Sequence, residues 1–144
     1  MRARLFWLIS RIAVFGYRHF PIFGRLPGAI AIIRRDGGFV AIRRSDGFGI
    51  GFPGGLLKRG EAPETALRRE VLEESGLSIV AIDFKFEFEN SDLYPTRVRV
   101  FEAQVEGEIR SSWEGEVGIF TLDQLEKGVI LTQRDVVEHL KGKR

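Results

Sequence analysis

The chain has 144 residues, of which 44% are hydrophobic and 29% charged. This composition is typical of one globular domain with a real core, not of a disordered chain. Cysteine is absent, which excludes disulfides and thiolate metal sites and permits a reducing, cytoplasmic location. The formal net charge of +2 is too small to indicate a stable nucleic-acid partner.

The first predicted element is a helix that ends before Pro21. Its apolar stretch, residues 5–20, is interrupted by Arg11 and falls short of the roughly 20 residues needed to span a bilayer. Arginines at every seventh position would form a narrow basic stripe on this helix (Arg4, Arg11, Arg18). Either the helix packs on the domain or in a homodimer interface, or it lies on an anionic membrane surface. We therefore separate an N-terminal helical extension, residues 1–26, from the main domain, residues 27–144.

Two strands, residues 29–34 and 39–43, are predicted around Asp36-Gly37-Gly38. Asp-Gly between β-branched runs is a strong hairpin signal. The segment that follows is rich in glycine, at positions 47, 49, 51, 54 and 55. Such a density indicates a backbone in tight turns, or one that another group approaches closely.

The remainder of the chain is predicted to contain more strands and two short helices. Apolar residues alternate over 82–90, as in a half-buried strand (Ile82, Phe84, Phe86, Phe88). The apolar parity changes within a second strand, 96–106, which suggests a bulge or burial on both faces. A strand at 116–120 and two helices, capped by Thr121 and Thr132, complete the chain. The order predicts an α/β (α+β) domain with a mixed sheet.

A helix predicted over residues 63–76 carries an unusual concentration of negative charge. Glu70, Glu73 and Glu74 are spaced i, i+3 and i+4, so their carboxylates lie on one face. Like charges at this spacing destabilise an isolated helix. A hard cation such as Mg²⁺ or Mn²⁺ would turn the repulsion into attraction. The alternative is a solvated face with neighbouring arginines as counter-charges.

The wider segment decides between these two interpretations. GLLKRGEAPETALRREVLEESGL, residues 55–77, resembles the Nudix box, G-x5-E-x7-R-E-U-x-E-E-x-G-U, with U aliphatic, and matches it at all nine fixed positions. The resemblance implies a mixed sheet between helices. It also implies metal-dependent attack of water on phosphorus in a nucleoside diphosphate linked to a moiety X. A nucleotide-binding module without catalysis, or a membrane-tethered scaffold, is the alternative.

The resemblance implies a role for each position of the box. The metal ligands would be helix carboxylates and one main-chain carbonyl (Glu73, Glu74, Glu70 and Gly55). Glu70 is alternatively the base that activates water, and Arg69 would orient a box carboxylate by a charge-assisted hydrogen bond. Three positions are implied to be structural: Glu61, Gly76 and Leu77.

Candidates outside the box are less specific. In some family members the base lies on a late loop, where this chain offers Glu114 and Glu116. Arg43 and Arg44 could contact substrate phosphates, but only one of two neighbours on a strand can face the site. Three aromatic residues could stack on the substrate, although packing is an equally open role for each: Phe48, Tyr94 and Trp113.

Overall fold

Two β-sheets and four α-helices make up residues 2–142, the part of the chain that this computed structural model describes. In chain order the elements are α1 (Arg2–His19), β1 (Leu26–Ile32), β2 (Arg34–Arg35), β3 (Gly38–Arg44), β4 (Ile50–Gly51), β5 (Gly54–Leu56), α2 (Pro63–Ser75), β6 (Ser78–Asn90), β7 (Thr96–Glu106), β8 (Gly115–Phe120), α3 (Leu122–Gly128) and α4 (Arg134–Leu140).

The strands are divided between two sheets. The first has the order β5-β1-β7-β6, with β1 parallel to β7 and the other pairs antiparallel. In the second, β3 pairs with β2 and β4 and also with β8, all antiparallel. The predicted mixed α/β architecture is therefore confirmed, although its strands do not form the single sheet that we expected.

Strand β1 lies at the centre of the core because it is buried on both faces. Ile30 and Ile32 belong to one apolar cluster, which α4 completes with Val136 and Val137. The intervening Ala29, Ala31 and Ile33 belong to a second cluster, which includes Leu67 and Val71 of α2. Burial of this second face fixes α2 against the sheet that contains β1 and β5, and thereby sets the position of the box helix.

The predicted hairpin is present, but it joins different strands. Asp36 (φ 50°) and Gly37 (φ 78°) form the two-residue turn, in the left-handed conformation that Asp-Gly accommodates. The turn connects β2 to β3, with Arg35 opposite Gly38. The expected strand 29–34 is interrupted at Ile33, so that β1 and β2 belong to different sheets.

Helix α2 begins at Pro63 and is followed by Gly76 as its C-cap in the left-handed conformation, close to the predicted 63–76. Two details of the later chain differ from expectation. The β6–β7 register shifts between Ile79 and Ala81 and between Phe84 and Phe86, so the irregularities lie in β6, while the parity change in β7 reflects burial on both of its faces. A 3₁₀ turn, Leu131–Gln133, precedes α4, so Gln133 occupies the N-cap position and Thr132 is buried.

Helix α1 covers Arg2–His19 and ends before Pro21, as predicted, and none of its side chains is fully buried. Among residues 2–142, no helix is both long enough and apolar enough to cross a membrane.

Candidate active site

A cavity of about 700 Å³ lies between α1, the two sheets and the carboxylate face of α2. Of the described residues that line it, four carry charged side chains: Arg44, Glu70, Glu74 and Glu114. They come from three separate parts of the chain: the end of β3, helix α2 and the loop before β8. The fold therefore brings together one guanidinium and three carboxylates that are distant in sequence.

Two adjacent glycines of β5 allow the α2 carboxylates to approach the backbone. The amide of Gly54 donates a hydrogen bond to Oε1 of Glu74 over 3.0 Å. A Cβ at Gly54, where φ is +144°, would lie 2.1 Å from the carbonyl oxygen of Ala29. A Cβ at Gly55 would lie 2.9 Å from the carboxyl carbon of Glu70. Gly54 requires glycine, because its φ is positive and the main chain of β1 leaves no room for a Cβ, whereas a Cβ at Gly55 would displace the end of the Glu70 side chain.

The cavity concentrates negative charge. Burial raises the pKa of Glu74 well above its usual value; the Gly54 amide offsets part of this shift, while the nearby Glu70 and Glu114 add to it. Burial also raises the pKa of Glu114, with a further contribution from Glu70. Neighbouring carboxylates thus contribute to the raised pKa of both Glu74 and Glu114, and such a site is arranged to receive a proton or a cation.

Arg69 ties the box loop to the box helix. Its guanidinium donates to both carboxylate oxygens of Glu61, at 3.0 and 2.9 Å, and to Glu70 at 2.6 Å. Glu61 in turn accepts a hydrogen bond from the amide of Lys58. The hydrogen bonds from Arg69, followed by the one from Lys58, lower the pKa of Glu61 to about 2. This geometry agrees with an orienting role for Arg69 and a loop-fixing role for Glu61.

Asp46 is a residue of the site that the sequence did not reveal. It is fully buried and pairs with the guanidinium of Arg44, and it also accepts from the amide of Phe48 at 3.1 Å. Burial raises its pKa, but the hydrogen bond and charge of Arg44 outweigh this, so the net pKa is lowered. In the sequence, Ser45-Asp46-Gly47 has only the composition of a turn. The one signal for a buried carboxylate was the positive charge of Arg44, two residues earlier.

Of the predicted candidates outside the box, the structure brings only some into the cavity. Arg44 lines it, whereas Arg43 lies over the ring of Phe120, with its guanidinium carbon 5.5 Å from the ring centroid. Glu114 lines the cavity, whereas Glu116 lies directly opposite Arg43 in the β3–β8 ladder. Directly paired residues share a face of the sheet, and neighbours along a strand face opposite sides. Arg43 and Glu116 are therefore removed from the candidate site.

Helix α1 is attached over the cavity at both of its ends. Near its start, the ring of Phe6 packs edge-on against Trp113, with centroids 5.0 Å apart. Arg11 lies over Phe48, 4.7 Å from the ring centroid. Near its end, the rings of Tyr17 and Tyr94 are 6.3 Å apart. The three stacking candidates, Phe48, Tyr94 and Trp113, thus all contact α1. Phe48 and Tyr94 also line the cavity, whereas Trp113 does not.

The donor set fits a hard divalent cation in chemistry, but its side chains do not converge as they stand. Within residues 2–142, no group of three or more His, Cys, Asp or Glu side chains is arranged to hold a metal ion. Glu70 and Glu74 face the glycine backbone, while Glu73 is 60% exposed and lies 3.7 Å from Arg69. The excess negative charge and the all-oxygen donors match the preference of Mg²⁺ and Mn²⁺.

Comparisons with known proteins identify relatives in sequence and in fold. A MutT-like protein of Streptomyces ambofaciens is 46% identical over 48 residues, which are 33% of this chain and 31% of that protein. This match therefore spans about a third of the relative's length. The crystal structure of a MutT NUDIX hydrolase from Burkholderia pseudomallei is 26% identical, with a TM-score of 0.70, and covers 79% of this chain and 96% of that one.

A MutT protein from Methanosarcina mazei, 24% identical, shares the fold with a TM-score of 0.70 over 83% of this chain and 95% of its own. The family model described as the NUDIX domain matches residues 24–140, which include every strand, α2 and all four charged residues of the cavity. The chain therefore belongs to the Nudix family.

Proposed function

We propose that this protein hydrolyses a pyrophosphate bond in a small nucleoside diphosphate derivative, using a divalent metal ion. The observation that carries the proposal is that Glu70 and Glu74 lie against the Gly54-Gly55 backbone, with Glu114 lining the same cavity. Family membership supports the reaction class. The excess of carboxylates supports the need for a cation.

Glu70, Glu73 and Glu74, with the carbonyl of Gly55, would hold Mg²⁺ or Mn²⁺. A bound ion of this kind neutralises charge on phosphoryl oxygens and lowers the pKa of water. Arg44 would contact the diphosphate, and Asp46 keeps its guanidinium in place. Arg69 would hold Glu70 in position through the 2.6 Å hydrogen bond. Glu61, Gly76 and Leu77 would maintain the loop–helix geometry.

We assign the base to Glu114 in preference to Glu70. Burial and the charge of Glu70 raise the pKa of Glu114, which brings it closer to the range in which a general base is effective near neutral pH. Glu70 instead accepts a hydrogen bond from Arg69, which directs its carboxylate towards an orienting or ligating role. Glu114 would take the proton of the attacking water.

The experiment is a panel of nucleoside diphosphate derivatives incubated with Mg²⁺ or Mn²⁺, with the released products identified. We expect turnover of at least one compound, abolished by chelation of the metal. The products would also show which phosphorus is attacked. Tight binding of one compound without turnover of any would favour the alternative of a nucleotide-binding module and overturn the proposal.

We also propose that residues 1–26 form an extension whose outer face contacts an anionic membrane, with residues 27–144 as the catalytic domain. The outward side of α1 exposes large apolar residues, each at least 50% exposed: Leu5, Leu8, Ile9, Ile12 and Phe15. Residues 1–26 contain five arginines and no acidic residue, and one of these arginines, Arg25, pairs with Glu89. Against a second copy, this surface would bring like charges together. The cytoplasmic leaflet, which is anionic, would attract it.

Vesicle co-sedimentation tests the membrane contact. We expect the full chain to sediment with vesicles that contain phosphatidylserine and not with pure phosphatidylcholine, and Leu8→Asp with Ile12→Asp to remove this binding. Sedimentation velocity without lipid reports the competing outcome. A dimer that Leu8→Asp with Ile12→Asp disrupts, with no vesicle binding of the wild type, would show that a second copy covers this face.

A further inference from the structure

The wall of the cavity that α1 supplies is almost entirely apolar. The α1 residues that line it are Phe6, Ser10, Ala13, Val14, Gly16 and Tyr17. The segment that follows adds Phe20, Ile22 and Phe23. These residues carry no charge, so the cavity-lining face of α1 offers no counter-charge to a phosphate. The charged residues of the cavity all lie outside α1 and its following segment, among the strands, α2 and the loop before β8.

The two hydroxyl groups on this wall are already engaged within the protein. The Ser10 side chain hydrogen-bonds Asp46. The Tyr17 hydroxyl donates to the carbonyl of Gly24. A nucleobase or a sugar needs donors and acceptors aimed at its edges, and a site built to recognise polar edges supplies them. The α1 wall instead offers apolar surface, with no free hydroxyl group aimed at a ligand.

The wall contributed by the rest of the chain continues this apolar character. Leu26, Phe52, Leu93 and Ile130 line it. Two of its polar side chains are also engaged internally. The Thr96 hydroxyl donates to the carbonyl of Asn90, and Oε1 of Gln133 accepts from the amide of Phe52 at 2.7 Å. Phe48, Tyr94 and Thr132 also line the cavity. The space beneath α1 is therefore bordered by mostly apolar surface on two sides, and it is open to solvent beside Phe20, Ile22 and Phe23, each more than 70% exposed.

We propose that the group carried by the diphosphate is a hydrocarbon chain, bound between α1 and the sheets. This inference rests on the proposed function. The diphosphate would lie beside Arg44 and the carboxylates, and the chain would fill the rest of the cavity, whose volume of about 700 Å³ is typical of small-molecule sites. Water forms a new bond to one phosphorus as the bridging P–O bond breaks. A nucleoside diphosphate that carries an alkyl group would thus give a nucleoside monophosphate and an alkyl monophosphate.

Calorimetry with non-hydrolysable alkyl esters of methylenebisphosphonate tests the proposal without turnover. The full chain is titrated in Mg²⁺ with esters of one, four, eight and twelve carbons. Each buried methylene should lower the Kd by roughly three- to fourfold until the cavity is full, the factor expected for transfer of one CH₂ from water. A Kd that does not depend on chain length would overturn the proposal.

Two variants of the same helix separate its inner face from its outer face. Val14 lines the cavity, whereas Ile12 is 63% exposed on the outward side. We expect Val14→Asn to flatten the dependence of Kd on chain length and Ile12→Asn to preserve it. Loss of the dependence in Ile12→Asn alone would place the chain on the outer surface and reject the cavity. Helix content from circular dichroism checks that both variants fold.

A third variant tests the position of the chain by changing the volume of the cavity and not its polarity. Ala13→Leu adds apolar volume inside the cavity, so we expect it to weaken the twelve-carbon ester at least tenfold more than the four-carbon ester. Equal effects on both would contradict the proposed chain position. Turnover of nucleotide derivatives with a flat chain-length series would overturn only this inference. A steep series without turnover of any diphosphate would overturn only the proposed function.

Discussion

The amide of Gly54 donates a 3.0 Å hydrogen bond to the carboxylate of Glu74, twenty residues further along the chain. This contact joins β5 to the last turn of α2 and fixes a buried carboxylate against a main-chain dipole. It also leaves Glu74 with an acceptor oxygen that glutamine would reproduce. Substitution by glutamine therefore removes the charge while keeping the hydrogen bond.

Glu73→Gln and Glu74→Gln should each reduce kcat roughly 100-fold or more, because each removes a proposed metal ligand from preorganised electrostatics. Initial rates in saturating Mg²⁺ would measure this. Glu64→Gln, an exposed position in the first turn of α2, is the control and should retain wild-type activity. Wild-type rates in either Glu73→Gln or Glu74→Gln would reject the assignment of ligands.

Glu74→Gln should stabilise the metal-free protein at alkaline pH. Because burial, reinforced by Glu70 and Glu114, raises the pKa of Glu74, the folded chain binds its proton more tightly than the unfolded chain does. The free energy of unfolding of the wild type then falls as pH rises from about 4.5 through that raised pKa. Thermal unfolding of the wild type in the presence of a chelator, from pH 5 to 9, would measure this fall as a decrease in Tm.

In the same titration, the variant should lack this fall, so its advantage grows with pH. Added Mg²⁺ should raise the Tm of the wild type by mass action and that of Glu74→Gln much less. A constant Tm difference across the pH range would show that the charge of Glu74 does not govern stability. Glu73→Gln, at a 60% exposed side chain, is the control for charge removal alone.

Gly55→Ala should destabilise the fold by about 1–3 kcal/mol, since its Cβ would lie 2.9 Å from the carboxyl carbon of Glu70. Displacement of Glu70 should lower activity as well. The matched control is Gly16→Ala in α1, where a Cβ meets nothing within 4 Å. That change should stabilise the protein by about 0.5–1 kcal/mol, from the helix preference of alanine. Urea unfolding of both variants would measure these changes in the free energy of unfolding.

Glu61→Gln should lower stability at neutral pH but not in acid. Hydrogen bonds from Arg69 depress the pKa of Glu61 to about 2 in the folded state. Its contribution is therefore complete above the unfolded pKa of about 4.5 and is lost as pH falls towards 2. Thermal unfolding at pH 7, 5 and 3 would follow the loss. A Tm difference that widens on acidification would exclude the Arg69 pair as its cause.

The elements that were predicted well depend on local signals. Helix α2 begins at Pro63 and is followed by Gly76 as its C-cap. The positions of the box carboxylates on one face of the helix follow from helix geometry alone. The capping box at Thr121, where Gln124 reciprocates the hydrogen bond, is likewise written in four consecutive residues. Such features need no knowledge of the tertiary structure.

The features that the sequence did not reveal depend on contacts between distant residues. Arg44 lines the cavity and Arg43 does not, because of the orientation of β3. Glu114 lines it and Glu116 does not, because Glu116 lies in β8 opposite Arg43. The change of apolar parity in β7 reflects burial on both of its faces, one of the two alternatives that the sequence left open. The register shifts in β6 depend on its pairing with β7 and carry no comparable local signal. The contact of Phe6 with Trp113 joins residues more than 100 positions apart.

The family match begins at residue 24, whereas a whole wall of the cavity is supplied by residues 6–23. In the binding mode that we propose, chemistry and selectivity are carried on separable stretches of one polypeptide. A terminal helix can be lengthened, exchanged or rewritten without disturbing the carboxylates of α2. Engineering of substrate range in this protein should therefore start at its N-terminus, and a truncation made for convenience would alter what the enzyme accepts.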